Sequence, residues 1–156
     1  MQHKLPVISF YRSRDVEMPE RATPQAAGMD VFVPNDAEPI TIAPGKAKLI
    51  NTGLYVKFDD GYVLMGCNRS GMAHKRCLVL GAHVIDSDYQ GEIFIDLHNI
   101  GTEPQTLYAG DKIAQLVLLP YAIAAINDVE SKELLYRGVE SERGDGALGS
   151  SDKKNA

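Results

Sequence analysis

Gly81-Ala-His-Val-Ile-Asp-Ser-Asp-Tyr-Gln-Gly-Glu-Ile-Phe-Ile-Asp-Leu-His-Asn99 is the stretch around which this chain is organised. In its second half Ile93, Ile95 and Leu97 alternate with Glu92, Phe94, Asp96 and His98. Period two with β-branched residues predicts a half-buried strand from Glu92 to His98. The first half, Val84 to Tyr89, is a second run, apolar and then acidic. The two meet at Asp88-Tyr-Gln-Gly91, where glycine supplies the freedom of φ that a tight reversal needs. The expectation is a β-hairpin with two carboxylates and a phenol at its tip. Apolar walls carrying a few convergent polar groups suit a small-molecule pocket.

Outward from this stretch, short apolar runs alternate with turn signals. Pro6 to Tyr11, Ala26 to Val33, Pro39 to Ile42, Tyr62 to Cys67, Gln105 to Tyr108 and Lys112 to Leu119 read as strands. Lys46 to Phe58 alternates without interruption and reads as one more. Pro44-Gly45, Asp59-Asp-Gly61 and Ala109-Gly-Asp111 are turns. Asn68 to Arg76 breaks the β pattern, and Ser70 is the candidate cap of one short helix ending near Arg76. Apolar density falls after Arg137, where Gly138, Gly144, Gly146 and Gly149 mark a flexible tail. The reading is a single β domain over 1–137 and a Gly/Ser-rich arm over 138–156. Many short strands with almost no helix predict an all-β sandwich or barrel, preferably a distorted jelly roll.

Composition narrows the function. A chain of 156 residues buries its own core, and a net charge of −5 offers no basic surface to nucleic acid. Binding of a polyanion therefore needs locally concentrated cations or a metal. Two cysteines, Cys67 and Cys77, make no disulfide framework and read as buried thiols. No apolar run reaches membrane-spanning length, and Met1-Gln-His-Lys-Leu-Pro lacks a signal-peptide core. A cytoplasmic protein without nucleic-acid or membrane partners is expected.

Arg69-Ser-Gly71 gathers a guanidinium, a hydroxyl and an unobstructed backbone amide at a helix start, a combination suited to phosphate oxygens. Gln115 carries an amide that can donate to phosphate. Asp86 and Asp88, two residues apart, are expected on one face of a strand. A carboxylate there can polarise a water for phosphoryl transfer, which needs an oriented nucleophile and neutralised oxygens more than covalent help.

Val84-Ile-Asp-Ser-Asp-Tyr-Gln-Gly-Glu92 resembles the third motif of the trimeric dUTP nucleotidohydrolases (dUTPases). Ala27-Gly-Met-Asp30, Asn68-Arg-Ser-Gly-Met-Ala73, Gly110-Asp-Lys-Ile-Ala-Gln-Leu116 and Arg143-Gly-Asp-Gly-Ala-Leu-Gly-Ser-Ser151 resemble the first, second, fourth and fifth, in order. The resemblance implies a jelly roll, a homotrimer with shared sites, Mg²⁺ as cofactor and dUTP as substrate. It assigns Asp86 as the base for a water that attacks the α-phosphorus, giving dUMP and pyrophosphate. Tyr89 would pack against deoxyribose, where a 2′-hydroxyl would clash. Arg69, Ser70, Gly71 and Gln115 would hold the triphosphate, and Asp30 would stand near Arg69 and the waters of Mg²⁺. Arg143, Leu148 and Ser150 would belong to a mobile segment that closes over the nucleotide.

Departures fall at Asn68 for Pro, Met72 for Leu, Lys112 for Arg and Leu148 for Phe. Leu148 covers a base face without aromatic stacking, worth ~1–3 kcal/mol per base in single-strand binders. The run before Asp86 is also shorter than in many members and lacks their Asn. His83 stands there, read as a strand-edge residue or a substitute hydrogen-bond partner. Two other readings stand beside the first. One is a dCTP deaminase-like enzyme on the same fold, against which Asp86-Ser-Asp-Tyr89 argues. The other is a dUTPase-like regulator that binds a protein partner and uses nucleotide as a switch.

Overall fold

The computed structural model describes residues 5–146. Residues Met1–Ile123 form one compact unit and Ala124–Ala156 a second. Eleven strands, all in the first unit, build an antiparallel jelly roll: β1 Ile8–Arg12, β2 Met29–Phe32, β3 Ile40–Ile42, β4 Ala47–Asn51, β5 Leu54–Phe58, β6 Tyr62–Cys67, β7 Leu78–Leu80, β8 Val84–Ile85, β9 Phe94–Asn99, β10 Gln105–Leu107 and β11 Lys112–Pro120. Helix α1, Ser70–Arg76, interrupts them between β6 and β7. One sheet runs β2-β11-β6-β8 and a second β4-β9-β7, with β1-β5 and β10-β3 as two-stranded ribbons.

The core draws from both larger sheets. Ile50, Leu78, Ile95 and Leu97 come from one, and Val31, Leu64, Ala114 and Leu116 from the other; each is at most 3% exposed. Ile93, Ile95 and Leu97 are all buried, as their alternation predicts, while Phe94 stays 40% exposed. All four residues of β2 are buried, Asp30 among them, although β2 is the outer strand of its sheet; the loop before it covers its free edge through the Glu20↔Asp30 bridge.

Several sequence expectations are corrected. Lys46 to Phe58 is not one strand: β4 pairs with β9, whereas β5 pairs with β1. The break is at Gly53, whose φ of +74° is open to glycine. The fully buried Thr52 stitches the corner, its hydroxyl donating to Ile93 O at 2.6 Å and accepting from Leu54 N at 3.1 Å. A period-two pattern survives such a corner because side-chain alternation continues through it. Neither is the central stretch a simple hairpin. β8 pairs with β6 in one sheet and β9 with β4 and β7 in the other, so residues 86–93 cross between sheets. The partner of β9 in its own hairpin is β7, through Leu80↔Leu97. Third, Ser70 is the first helical residue rather than the cap. Arg69 holds the cap position with extended backbone and no side-chain cap bond, and Cys77 ends the helix at φ 51°.

Cys67 and Cys77 are free thiols but half-buried, not buried as expected. The second unit holds a helix not anticipated from sequence, α2 Lys132–Leu135. Ser131 caps it by accepting from Leu134 N at 3.2 Å. The Ser-x-Glu sequence there is the signal that was available: the backbone amide of Glu133 and then the Ser131 hydroxyl hold the Glu133 carboxyl below its usual range. In the same unit Lys132 Nζ reaches both carboxylate oxygens of Asp145 at 2.9 Å.

Candidate functional site

Apart from Tyr89, which lines neither cleft, the expected site residues fall into two clefts of the first unit and one segment of the second. The first cleft, about 420 Å³, is lined by Ala22, Asp30, Arg69, Ser70, Gly71 and Gln115. Thus residues 69–71, expected to bind phosphate, do converge with Gln115 and Asp30. The strand register explains how. Gln115 on β11 lies opposite Asp30 on β2 on one side and opposite Cys67 on β6 on the other. One strand thereby brings three distant segments to a single end of a sheet.

Asp30 organises this cleft. It is 7% exposed, and its Oδ1 accepts from Arg69 Nε at 2.9 Å. Its Oδ2 lies 2.9 Å from Lys112 Nζ. Arg69 Nη1 donates to Lys112 O at 3.1 Å, so two of the guanidinium nitrogens are fixed and the fork is pre-aimed. Lys112 also reaches Glu20 Oε1 at 3.2 Å and lies 5.2 Å from the centre of the Phe32 ring. The Asp30 hydrogen bond, and then that to Glu20, raise the Lys112 ammonium above the usual lysine range. A raised cation pKa adds stability that persists through neutral pH and is lost only as pH climbs past that range. The compact Lys112 ammonium, with three donors, thus serves two carboxylates at once. Removing Asp30 leaves two partly exposed cations beside each other without the buried carboxylate that joins them. Asp30→Ala should lower the melting temperature by roughly 5–10 °C in a thermal scan. An unchanged melting point would show that the pair carries no stability.

Glycines make the rest of the cleft possible. A Cβ on Gly28 would collide with the Gln115 carboxamide, so Gly28 is what lets that side chain lie across β2. From there Gln115 Nε2 donates to Asn68 O at 2.8 Å. A Cβ on Gly71 meets nothing within 4 Å, so its backbone is open to an approaching anion. Arg21, missed by sequence reading, donates from Nη1 to Ala26 O and Ala27 O, each at 2.7 Å, and so fixes the loop entering β2.

The second cleft, about 460 Å³, is lined by Asp60, Gly61, Asp86, Ser87, Asp88, Tyr121 and Ile123. Asp86 and Asp88 do share it, but on a turn beyond β8 rather than on a strand face as expected. Tyr89 N donates to Asp86 O at 3.2 Å and closes that turn. Contacts that motif reading did not find hold the turn in place: Ser87 Oγ donates to Asp60 Oδ1 and Lys57 Nζ to Ser87 O, each at 3.3 Å. Its far end is pinned by Gly53 N to Glu92 Oε1 at 2.7 Å and Ile93 N to Leu54 O at 2.8 Å. Tyr89 folds back, its hydroxyl donating to Glu92 O at 2.9 Å. Gly91 has no positive φ. A Cβ there would strike the Tyr89 ring, so this glycine supplies room and not backbone freedom.

The two clefts share no residue. Ile85 lies opposite Leu64 on β6, and that strand runs on to Cys67, two residues before Arg69. At ~3.3 Å per residue, Asp86 and Arg69 of one chain stand roughly 16–20 Å apart. In the second unit the Arg143 side chain donates from Nε to Gly146 O at 2.9 Å. Leu148 and Ser150 lie outside the described residues. Among the described residues no three His, Cys, Asp or Glu converge as a metal site. No helix among them is long and apolar enough to cross a membrane.

A sequence model of the dUTPase family matches residues 14–151. The chain belongs to the dUTPase family. Among its relatives, the deoxyuridine 5′-triphosphate nucleotidohydrolase of Aeromonas salmonicida is 38% identical over 156 residues, 98% of each chain. That of Idiomarina loihiensis is 41% identical over 155 residues, covering 97% of this chain and 98% of the relative. The structure of a mutant Staphylococcus bacteriophage 80alpha dUTPase with dUpNHpp superposes with a TM-score of 0.81 at 26% identity, over 93% of this chain and 98% of that one. A mutant dUTPase of phage phi11 of S. aureus, described with a structural Mg(II) ion, gives 0.73 at 26% identity, over 81% and 99%. Membership in the dUTPase family thus spans both clefts and reaches the second unit.

Proposed function

We propose that this chain is a cytoplasmic dUTP diphosphatase that hydrolyses dUTP to dUMP and pyrophosphate. The observation that carries the reading is the first cleft, where Arg69, Ser70, Gly71 and Gln115 face one space and Asp30, the only acid lining it among the described residues, is already engaged by two cations. Such a cleft binds oxyanions and contains no free base. Asp86, exposed on its turn, is the base. It takes a proton from a water whose oxygen bonds to the α-phosphorus, while the bond to the bridging oxygen breaks and pyrophosphate leaves. Arg69 and the Gly71 amide balance the charge on the phosphate oxygens.

Because Asp86 and Arg69 stand apart within a chain, we infer that a site joins the Asp86 cleft of one copy to the Arg69 cleft of the next. Contacts between two different patches close into rings, and three copies is the ring that the family resemblance implies. The donor set fits Mg²⁺ that arrives on the triphosphate, since Mg²⁺ keeps its waters and takes substrate oxygens where protein offers no cage. Asp30 would meet it only through water. The turn and the arm before it, residues 81–91, read uracil, with Tyr89 against deoxyribose. The segment carrying Arg143, Leu148 and Ser150 covers the nucleotide.

Pyrophosphate release with Mg²⁺ from dUTP, dCTP, dTTP and UTP, side by side, tests the activity. Turnover of dUTP alone is expected. Ammonia from dCTP in its place would indicate a deaminase, and no turnover of any would leave the nucleotide-switched regulator. Gly91→Ala tests Tyr89: the added methyl turns the ring away, and KM for dUTP should rise about tenfold with kcat nearly kept. An unchanged KM would remove Tyr89 from the sugar site.

A further inference from the structure

The shortened arm before Asp86 is held in an unusual way. Beyond Leu64↔Ile85 and Met65↔Val84, the next pair in register is Gly66 and His83. Gly66 N donates to His83 O at 2.7 Å, an ordinary rung of the ladder. The reciprocal rung would run from His83 N to Gly66 O. Instead the imidazole takes it, with Nδ1 at 2.7 Å from Gly66 O. A carbonyl oxygen only accepts, so Nδ1 carries the proton. The side chain thus stands in for its own backbone amide, and among the described residues the His83 N–H has no partner.

Two further bonds set the arm: Leu80 N to Asn68 Oδ1 at 2.8 Å, and Gly81 N to Asp96 O at 2.9 Å. With Gly81 tied to one sheet and His83 to the other, Ala82 is the single residue that bridges them. The arm has no slack, and the imidazole decides which of its backbone groups stay unpaired.

We propose that His83 is a positioning residue for base selection: its Nδ1–H replaces the terminal rung, leaving the His83 backbone N–H as a fixed donor to a keto oxygen of the pyrimidine. Uracil offers that oxygen at C4, where cytosine carries an amino group that donates and so repels the amide. A site built to pair one polar group rejects the analogue lacking it, because the group is then left unpaired. The inference rests on the reading of residues 81–91 as the base-reading arm of a dUTP diphosphatase.

The test is kcat and KM for dUTP and for dCTP, at saturating Mg²⁺, in the parent and in His83→Ala, His83→Asn and His83→Gln. Asn places its amide nitrogen where Nδ1 stands, whereas Gln places it one atom farther out. His83→Ala should raise KM for dUTP about tenfold and narrow the dUTP/dCTP preference about tenfold, with kcat for dUTP within about threefold of the parent. His83→Asn should restore both quantities, and His83→Gln neither. If His83→Ala does not fold, the Asn and Gln pair carries the same contrast. Parent-like KM and preference in His83→Ala, or rescue by Gln and not by Asn, overturns the proposal while the enzyme reading stands. No dUTP turnover by the parent overturns both.

Discussion

Asp86→Asn should abolish dUTP turnover, by at least about a thousandfold in kcat, while triphosphate binding stays within about threefold. The substitution keeps the shape of the side chain and the turn, since the turn's hydrogen bond uses the Asp86 carbonyl and not its carboxylate. It removes the negative charge and the basicity of the carboxylate and puts a neutral amide of nearly the same shape in its place. Every expected phosphate donor of the first unit lies in the other cleft and is untouched. Asp88, in the same cleft, is the natural rival, and Asp88→Asn should retain most activity. Single-turnover kinetics and binding of a non-hydrolysable dUTP analogue check both quantities. Full activity in Asp86→Asn, or its loss in Asp88→Asn alone, would move the base to Asp88. Loss of binding in Asp86→Asn would place that carboxylate in nucleotide binding.

Much of the fold and site was legible because local chemistry and global position agree. Ile93, Ile95 and Leu97 alternate and are buried. Pro44-Gly45 reads as a turn, and Gly45 has φ of +69°. What stayed hidden was partner choice. Nothing in Val84-Ile85 or in the run to Asn99 records that they pair with different sheets, since side-chain period is the same in either pairing. The corner at Thr52 was masked for the same reason. The lock on Arg69 was half visible. Asp30 and Lys112 sit in recognisable motifs, but Glu20 belongs to no periodic pattern and is placed only by the bridge it makes with Asp30. The glycines of the first and third motifs show the same limit. A sequence shows that Gly28 and Gly91 are glycines, whereas the Gln115 and Tyr89 side chains that require them become visible only in three dimensions.

Asp86→Asn and Arg69→Ala should each be inactive alone, and their mixture should recover about a quarter of parental activity if, as proposed, each site of a closed ring draws one residue from each of two neighbours. A site works when the copy giving Asp86 is the Arg69 variant and the copy giving Arg69 is the Asp86 variant. Random assembly satisfies each condition about half the time. Co-expression at equal levels gives this mixture; sequential capture on two affinity tags then isolates the mixed rings, in each of which one site of three is complete, so activity should rise to about a third. Sites contained within one chain predict no recovery at all, since every chain carries one lesion, so the outcomes do not overlap. Arg69→Ala leaves the Asp30 carboxylate still paired with Lys112, so the variant should fold and enter the ring. Recovery would also explain an arrangement that is otherwise puzzling in a single copy. The oxyanion cleft and the acidic turn sit at opposite ends of β6. Within one chain that spacing separates Asp86 from Arg69, and in the proposed ring a negative base would meet a positive cleft only when the copies assemble.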